Sequence, residues 1–275
     1  MSKGEDQVRA GSAGTQSEGA TPRAERPIDT TAQDTMPTSS SDISGSAAFF
    51  APGSMYKLGF LMSDTGQSVD ELTQWYETVH APASAYMWPY LARYARNYIV
   101  KVEQGPPPPY KVIAEFLWKS EEDQQKAVAL MSSPLTRAIQ MQEYEEAPPW
   151  LQQIYAVMIS VEPVHIKAPP SPRFRDAART RRIMLLKRRD LASEDNFLLA
   201  VGQVAADIAK ASPGAGITIC MAQPGATPEG APDSVIFIDG ACGATLPQPD
   251  AAPAEIMNVF TVETRRSPVE QAAIV

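Results

Sequence analysis

The order of strand-like and helix-like segments in this chain occurs twice, and that repetition limits its fold more than any other feature. Residues 55–62 form an apolar run closed by the polar Ser63-Asp64-Thr65-Gly66, which predicts a strand and a turn. Ser68 followed by Glu71 makes a capping-box pair, and Leu72, Trp75, Tyr76 and Val79 then recur at helical spacing. Pro82 is expected to end or kink that helix. A second helical piece over 85–91 leads to a strand over 94–102. Gly105 and the prolines at 106 to 109 form a rigid turn before a strand over 110–118. Ser120 and Asp123 open a helix through Leu130, a further piece follows Pro134 to about Glu145, and Pro148-Pro149 precedes a last strand over 154–161. The order βαββαβ is the ferredoxin-like split arrangement, whose sheet carries helices on one face and needs a cover for the other.

The second half offers that cover. Strands are expected over 183–187, 216–221, 234–238 and 256–262, with a helix over 193–211, and the second helix is short or missing because 240–253 is rich in Ala, Gly and Pro. The predicted fold is α+β: two ferredoxin-like βαββαβ repeats, the second degenerate, packed sheet-to-sheet as an α+β barrel. One chain would then do what a homodimer of single repeats does. The expected divisions are a disordered leader (1–53), the first repeat (54–166), a linker (167–181), the second repeat (182–266) and a tail (267–275). The leader has one apolar pair, Phe49-Phe50, and cannot repay its ordering entropy.

Thirty-two acidic against 24 basic residues give a net charge of −8, which argues against a nucleic-acid partner. Two cysteines are too few for a disulfide-stapled fold or a closed thiolate zinc site, and no stretch approaches the roughly 20 apolar residues of a membrane span. The acids Glu5, Asp6, Glu18 and Glu25 oppose a transit peptide. A cytoplasmic protein without a membrane partner is expected. No Gly-x-Gly-x-x-Gly and no Walker lysine is present, so no nucleotide-type cofactor is expected.

Three segments then stand out: Glu71-Leu72-x-x-Trp75-Tyr76-x-x-x-His80-Ala81-Pro82, Tyr94-x-x-Asn97, and Ala114-Glu115-Phe116-Leu117-Trp118. Together they resemble the EthD family of the dimeric α/β-barrel superfamily, over 55–165 only. The resemblance implies a ferredoxin-like fold, an apolar pocket with a histidine at its rim, and kinship with cofactor-free enzymes that cyclise, dehydrate, decarboxylate or isomerise lipophilic metabolites. Many members carry a histidine after the Asn of the second motif, where this chain has Tyr98.

His80 and Glu115 are the candidate catalytic residues. His80 lies four residues after Tyr76, so both side chains share a helix face, and a helix C-terminus together with Glu77 would favour imidazolium. The alternative is a histidine that caps the last carbonyls. Glu115, among Val112, Ile113, Ala114, Phe116 and Leu117, must have a partner or a proton: it either orients His80 or takes a substrate proton, or it pairs with Arg93 or Arg96. Tyr76, Trp88, Tyr94, Asn97, Tyr98 and Trp118 are the candidate substrate-binding residues, although aromatic side chains also fill cores. His165 is expected on the surface, Cys220 and Cys242 are expected not to pair, and the basic run from Arg173 to Arg189 is read as a solvated linker and strand edge.

These residues lead to a cofactor-independent enzyme of lyase, isomerase, cyclase or dehydratase type. It would move a proton through His80 on a small aromatic or lipophilic metabolite, as a monomeric pseudo-dimer or a homodimer. Haem binding or cofactor-free oxygenation, and a non-catalytic ligand-binding role, are the alternatives.

Overall fold

The computed structural model describes residues 53–63, 68–145, 148, 154–167, 179–190, 192–224, 228, 230–240, 246 and 253–267. The expected leader and tail lie outside these residues, apart from Gly53 and Ser267, as does most of 240–253. The side chain of His165 and all of Cys242 are likewise outside.

Eight strands form a closed antiparallel barrel: β1 (Met55–Ser63), β2 (Leu91–Gln104), β3 (Tyr110–Trp118), β4 (Ile154–Lys167), β5 (Arg179–Arg188), β6 (Gly216–Ala222), β7 (Ser234–Asp239) and β8 (Ala254–Arg266). Around the barrel they run β1-β3-β2-β8-β5-β7-β6-β4 and return to β1. The first four strands thus lie in the order β4-β1-β3-β2, and the last four repeat that order as β8-β5-β7-β6. The two halves do not stack as separate sheets, as the expected sheet-to-sheet packing would have it. They join along both edges, β2 to β8 and β4 to β6, so that every outer strand finds a backbone partner. This pairing also explains why β4 and β8 outrun their expected C-terminal ends: the added residues there pair with the opposite half. Pro163, which has no N–H to give, sits where the β4–β6 register shifts.

Closure covers the inner side of each strand, and the helices cover part of the outer side. On β3, Ile113, Glu115 and Leu117 alternate with Val112, Ala114 and Phe116. Ile113 and Leu117 pack in the barrel with Leu58, Phe60, Ile159, Ile183, Phe237 and Phe260, whereas Val112, Ala114 and Phe116 meet the helices outside. Outside the second half, α5 (Glu194–Ala211), capped by Ser193, lays Phe197, Val201, Val204, Ala205 and Ile208 over Met184, Ile217, Ile236 and Ile238. Outside the first half, α1 (Val69–Trp75) begins with the expected Ser68–Glu71 capping box.

Pro82 does not end that helix. A π turn over Tyr76–His80 follows α1, then α2 (Ala81–Ala83) and a 3-10 turn over Ala85–Tyr90. The Ala81 N–H donates to the Tyr76 carbonyl, five residues back. A proline ring meets the carbonyl four residues before it, here that of Thr78, and the wider turn around Thr78 accommodates it. Helices α3 (Glu121–Met131), capped by Ser120, and α4 (Pro134–Glu145) complete this layer.

Gly105 turns the chain after β2 at φ +90°, and a Cβ there would lie 2.2 Å from the Met257 carbonyl oxygen. Gly53 has a similar φ of +82° with open space around it. Gly105→Ala should therefore destabilise the protein by more than the roughly 1 kcal/mol of backbone strain expected for Gly53→Ala, as urea unfolding of both variants would measure.

Candidate functional site

The π turn determines what surrounds His80. In a regular helix its neighbours one turn back would be Tyr76 and Glu77; in the wider turn they are Trp75 and Tyr76. The imidazole stacks on Trp75 with ring centroids 5.3 Å apart and meets the Tyr76 ring edge-on at 4.6 Å. Its Nδ1 lies 2.7 Å from Oε1 of Glu143 on α4. The His80 side chain is 37% exposed and that of Glu143 only 9%, and Nε2 makes no hydrogen bond among the described residues. With Nδ1–H donating to the carboxylate, Nε2 is left as an acceptor. Because the chain stays helical through Ala83, His80 is not at a helix C-terminus. Its partner is Glu143, not Glu77 or Glu115.

Glu77 turns instead toward the sheet. Its two oxygens accept from Nε and Nη2 of Arg96, each at 2.8 Å, and Tyr98 donates its hydroxyl proton to the same carboxylate. Burial pushes the Glu77 pKa up, but the donors Arg96 and Tyr98 outweigh it and hold the carboxyl below its ordinary value. Tyr76 and Tyr94 hydroxyls lie 3.0 Å apart, and burial raises both phenols, which stay neutral. Tyr94 stacks on Phe116, and Phe116 on Trp118. The indole N–H groups of Trp88 and Trp118 are buried without a hydrogen-bond partner among the described residues.

Asn97 and Glu115 project the other way, into the barrel. Glu115 is completely buried. It accepts from Tyr56 and Arg181, and from Asn97 Nδ2 at 2.9 Å, while Arg93 Nη2 stands 3.2 Å away. Asn97 Oδ1 in turn accepts from Arg181 Nε at 2.9 Å and from Thr264 at 2.8 Å. Arg181, expected in a solvated linker, is therefore a buried residue of β5 that ties the second half to the first. Desolvation brings its pKa down to about 10, at which it remains charged at neutral pH, and its guanidinium lies over the Phe237 ring at 4.4 Å. Nearby Cys220 is buried, which pushes its thiol up to about 12 and leaves it protonated.

The sheet thus divides the candidate residues. His80, Tyr76, Trp88, Tyr94, Tyr98 and Trp118 belong to the outer helical layer, and Asn97 and Glu115 to the interior. Two further residues emerge. Glu143 has a signal in the sequence, since Thr136, Gln140 and Glu143 share one face of α4 and all are at least half-buried, although polar. Arg181 has none, because its partner lies 66 residues away on another half. Among the described residues, no group of three His, Cys, Asp or Glu side chains is placed to hold a metal ion, and no helix is long and apolar enough to cross a membrane.

Fold and site together define an α+β protein with a closed antiparallel eight-stranded barrel and a histidine–carboxylate pair in its helical layer. The EthD domain model matches residues 64–146, and the first half of the chain carries that domain. No curated protein matches the sequence. Among solved structures, the chain is similar to an anthrone oxidase-like protein at 13% identity, covering 79% of this chain and 95% of that one, with a TM-score of 0.47. It is also similar to a haem-binding protein from Thermus thermophilus (10% identity, 80% and 94% covered, TM-score 0.39). A mutant chlorite dismutase from Candidatus Nitrospira defluvii is a further match (9% identity, 82% and 95% covered, TM-score 0.37).

Two stability measurements probe these networks. Glu115→Ala strands the buried guanidinium of Arg181 and should cost about 3–5 kcal/mol in urea unfolding. Glu77, with its folded pKa below the ordinary 4.5, contributes stability that is present above pH 4.5 and lost as pH falls through the folded value. Melting curves from pH 7 to pH 3 should accordingly show a shallower acid loss in Glu77→Gln than in the parent.

Proposed function

We propose that this protein is a cofactor-independent enzyme of lyase or isomerase type, acting by proton transfer on a small aromatic or otherwise lipophilic molecule. The observation that carries this reading is the His80–Glu143 pair. A carboxylate accepting from Nδ1 fixes the imidazole tautomer and orientation and leaves Nε2 of this partly exposed side chain free to take a proton. A substrate C–H next to a carbonyl would lose its proton to Nε2, its electron pair moving to the carbonyl oxygen as an enolate. The imidazolium, stabilised by Glu143, would return that proton to another carbon in an isomerisation or to a leaving group in an elimination. Trp75 and Tyr76 would supply a flat wall beside the reacting carbon, and the neutral Tyr76–Tyr94 hydroxyl pair a donor near it.

The same proposal covers the architecture and the partners. Matching strand orders in the two halves support a fused pair of ferredoxin-like repeats, a pseudo-dimer in one chain. The apolar packing under α5, which lacks histidine and tyrosine, supports one reactive centre per chain.

Solvent-deuterium exchange into a panel of aromatic ketones, followed by NMR, tests the reaction. The parent should exchange the carbon-bound proton, and His80→Ala should lower the rate by about 10²- to 10⁴-fold with its melting curve preserved. Glu143→Gln, which keeps the bond but not the charge, should lower it by less. Parent-like exchange in His80→Ala would overturn the assignment. A histidine held through Nδ1 by a carboxylate is also suited to bind haem iron through Nε2. A visible spectrum of the protein mixed with haem, with a Soret band that shifts in His80→Ala, would favour that second reading.

A further inference from the structure

Helix α4 turns to water the side that a surface helix normally turns to the core. Its inward residues are polar and already engaged. Thr136 is buried and accepts from the Ser133 hydroxyl, Gln140 is hydrogen-bonded to Tyr86, and Glu143 accepts from His80. Its outward residues are largely apolar: Leu135 is 74% and Met141 62% exposed, with Ala138 and Ile139 exposed beside them. Val128, Leu130 and Met131, exposed on the last turns of α3, precede this face across the short turn Ser132-Ser133. Apolar side chains gathered in this way on the surface of one helix pair mark a contact with another molecule.

The charges on this face determine what fits it. Arg137, Met141 and Glu145 follow one another at intervals of four residues, so they form one row along the helix, with a cation before the methionine and an anion after it. All three are exposed, and neither charge makes an ion pair among the described residues. A second α4 laid antiparallel on the first, with the two-fold axis at Met141, brings Arg137 of each copy opposite Glu145 of the other. Ala138, one turn before Met141, lies beside the row and would be covered with it. The row is thus complementary to itself, which is what an isologous contact requires. Parallel packing in register would instead set like charges together, at a cost.

From the reversed polarity of α4 and its self-complementary row we infer that the outer face of this helix is the interface of a homodimer, in which two copies pack α4 against α4, antiparallel about Met141. The contact lies on the other side of α4 from Glu143 and does not rest on the reaction proposed for His80.

Sedimentation velocity of the full-length protein over about a hundredfold range of concentration tests the interface, and the parent should pass from monomer to dimer across it. Arg137→Glu and Glu145→Arg each set like charges together twice in the dimer, and each should weaken dimerisation at least about tenfold. Mixed in equal amounts, these two variants should associate as the parent does, since every charge then meets its opposite. Met141→Lys should abolish the dimer, whereas Leu199→Lys, on the exposed side of α5, should leave it unchanged. All four side chains are exposed, so melting curves should be preserved. A parent that stays monomeric, which would leave the face to a different occupant, would overturn the inference. So would a dimer that survives Met141→Lys, an equal loss in Leu199→Lys, or a mixture of the two charge variants that fails to associate.

Discussion

Backbone hydrogen bonding along the two seams, β2 with β8 and β4 with β6, is the constraint from which the rest of this structure follows. A four-stranded sheet on its own exposes two edges and one apolar face. Joining two such sheets at both edges removes all four edges at once and encloses both apolar faces in one interior. It also turns each strand into a wall with a different environment on either side. That is why Tyr98, facing the helices, and Asn97, facing the barrel, are neighbours in sequence yet belong to separate networks.

The two halves use their outer faces differently. Under α5 the contact is apolar throughout, with Phe197 the one ring among the buried residues of that helix, and it packs as ordinary core. Under α1 and its π turn the same layer holds Trp75, Tyr76, Tyr94, Tyr98 and Trp118, with Glu77 and Arg96 paired among them. Aromatic and ionic side chains in a helix–sheet contact cost more to pack than aliphatic ones, since each polar end needs a partner. The two halves thus share a strand order and differ in the chemistry of their outer layers.

How far the sequence revealed this depends on the range of each interaction. Local signals were legible: the Ser68–Glu71 capping box, the Gly105 turn and the apolar strand around Glu115 all involve residues within a few positions of each other. Strand ends were less so, because the extra residues at the ends of β4 and β8 are ordered by partners in the opposite half. Arg181 looked like one more charge in a basic run, and only the barrel's closure brings it against Glu115. The expected contact between His80 and Glu77 assumed a regular helix, and the π turn replaced it with Trp75 and Glu143.

That turn has a consequence for how the protein can vary. A π turn amounts to one residue inserted into an α-helix, so the surroundings of His80 are fixed by a count as much as by composition. Exchanging the exposed Thr78 for another side chain would leave the spacing intact, while losing that single position would rewind the helix and carry His80 around its axis by about 100°. The imidazole would then face a different side of the molecule with every chemical group still present. In this fold, insertion and deletion are therefore the coarse control on the site, and substitution is the fine one.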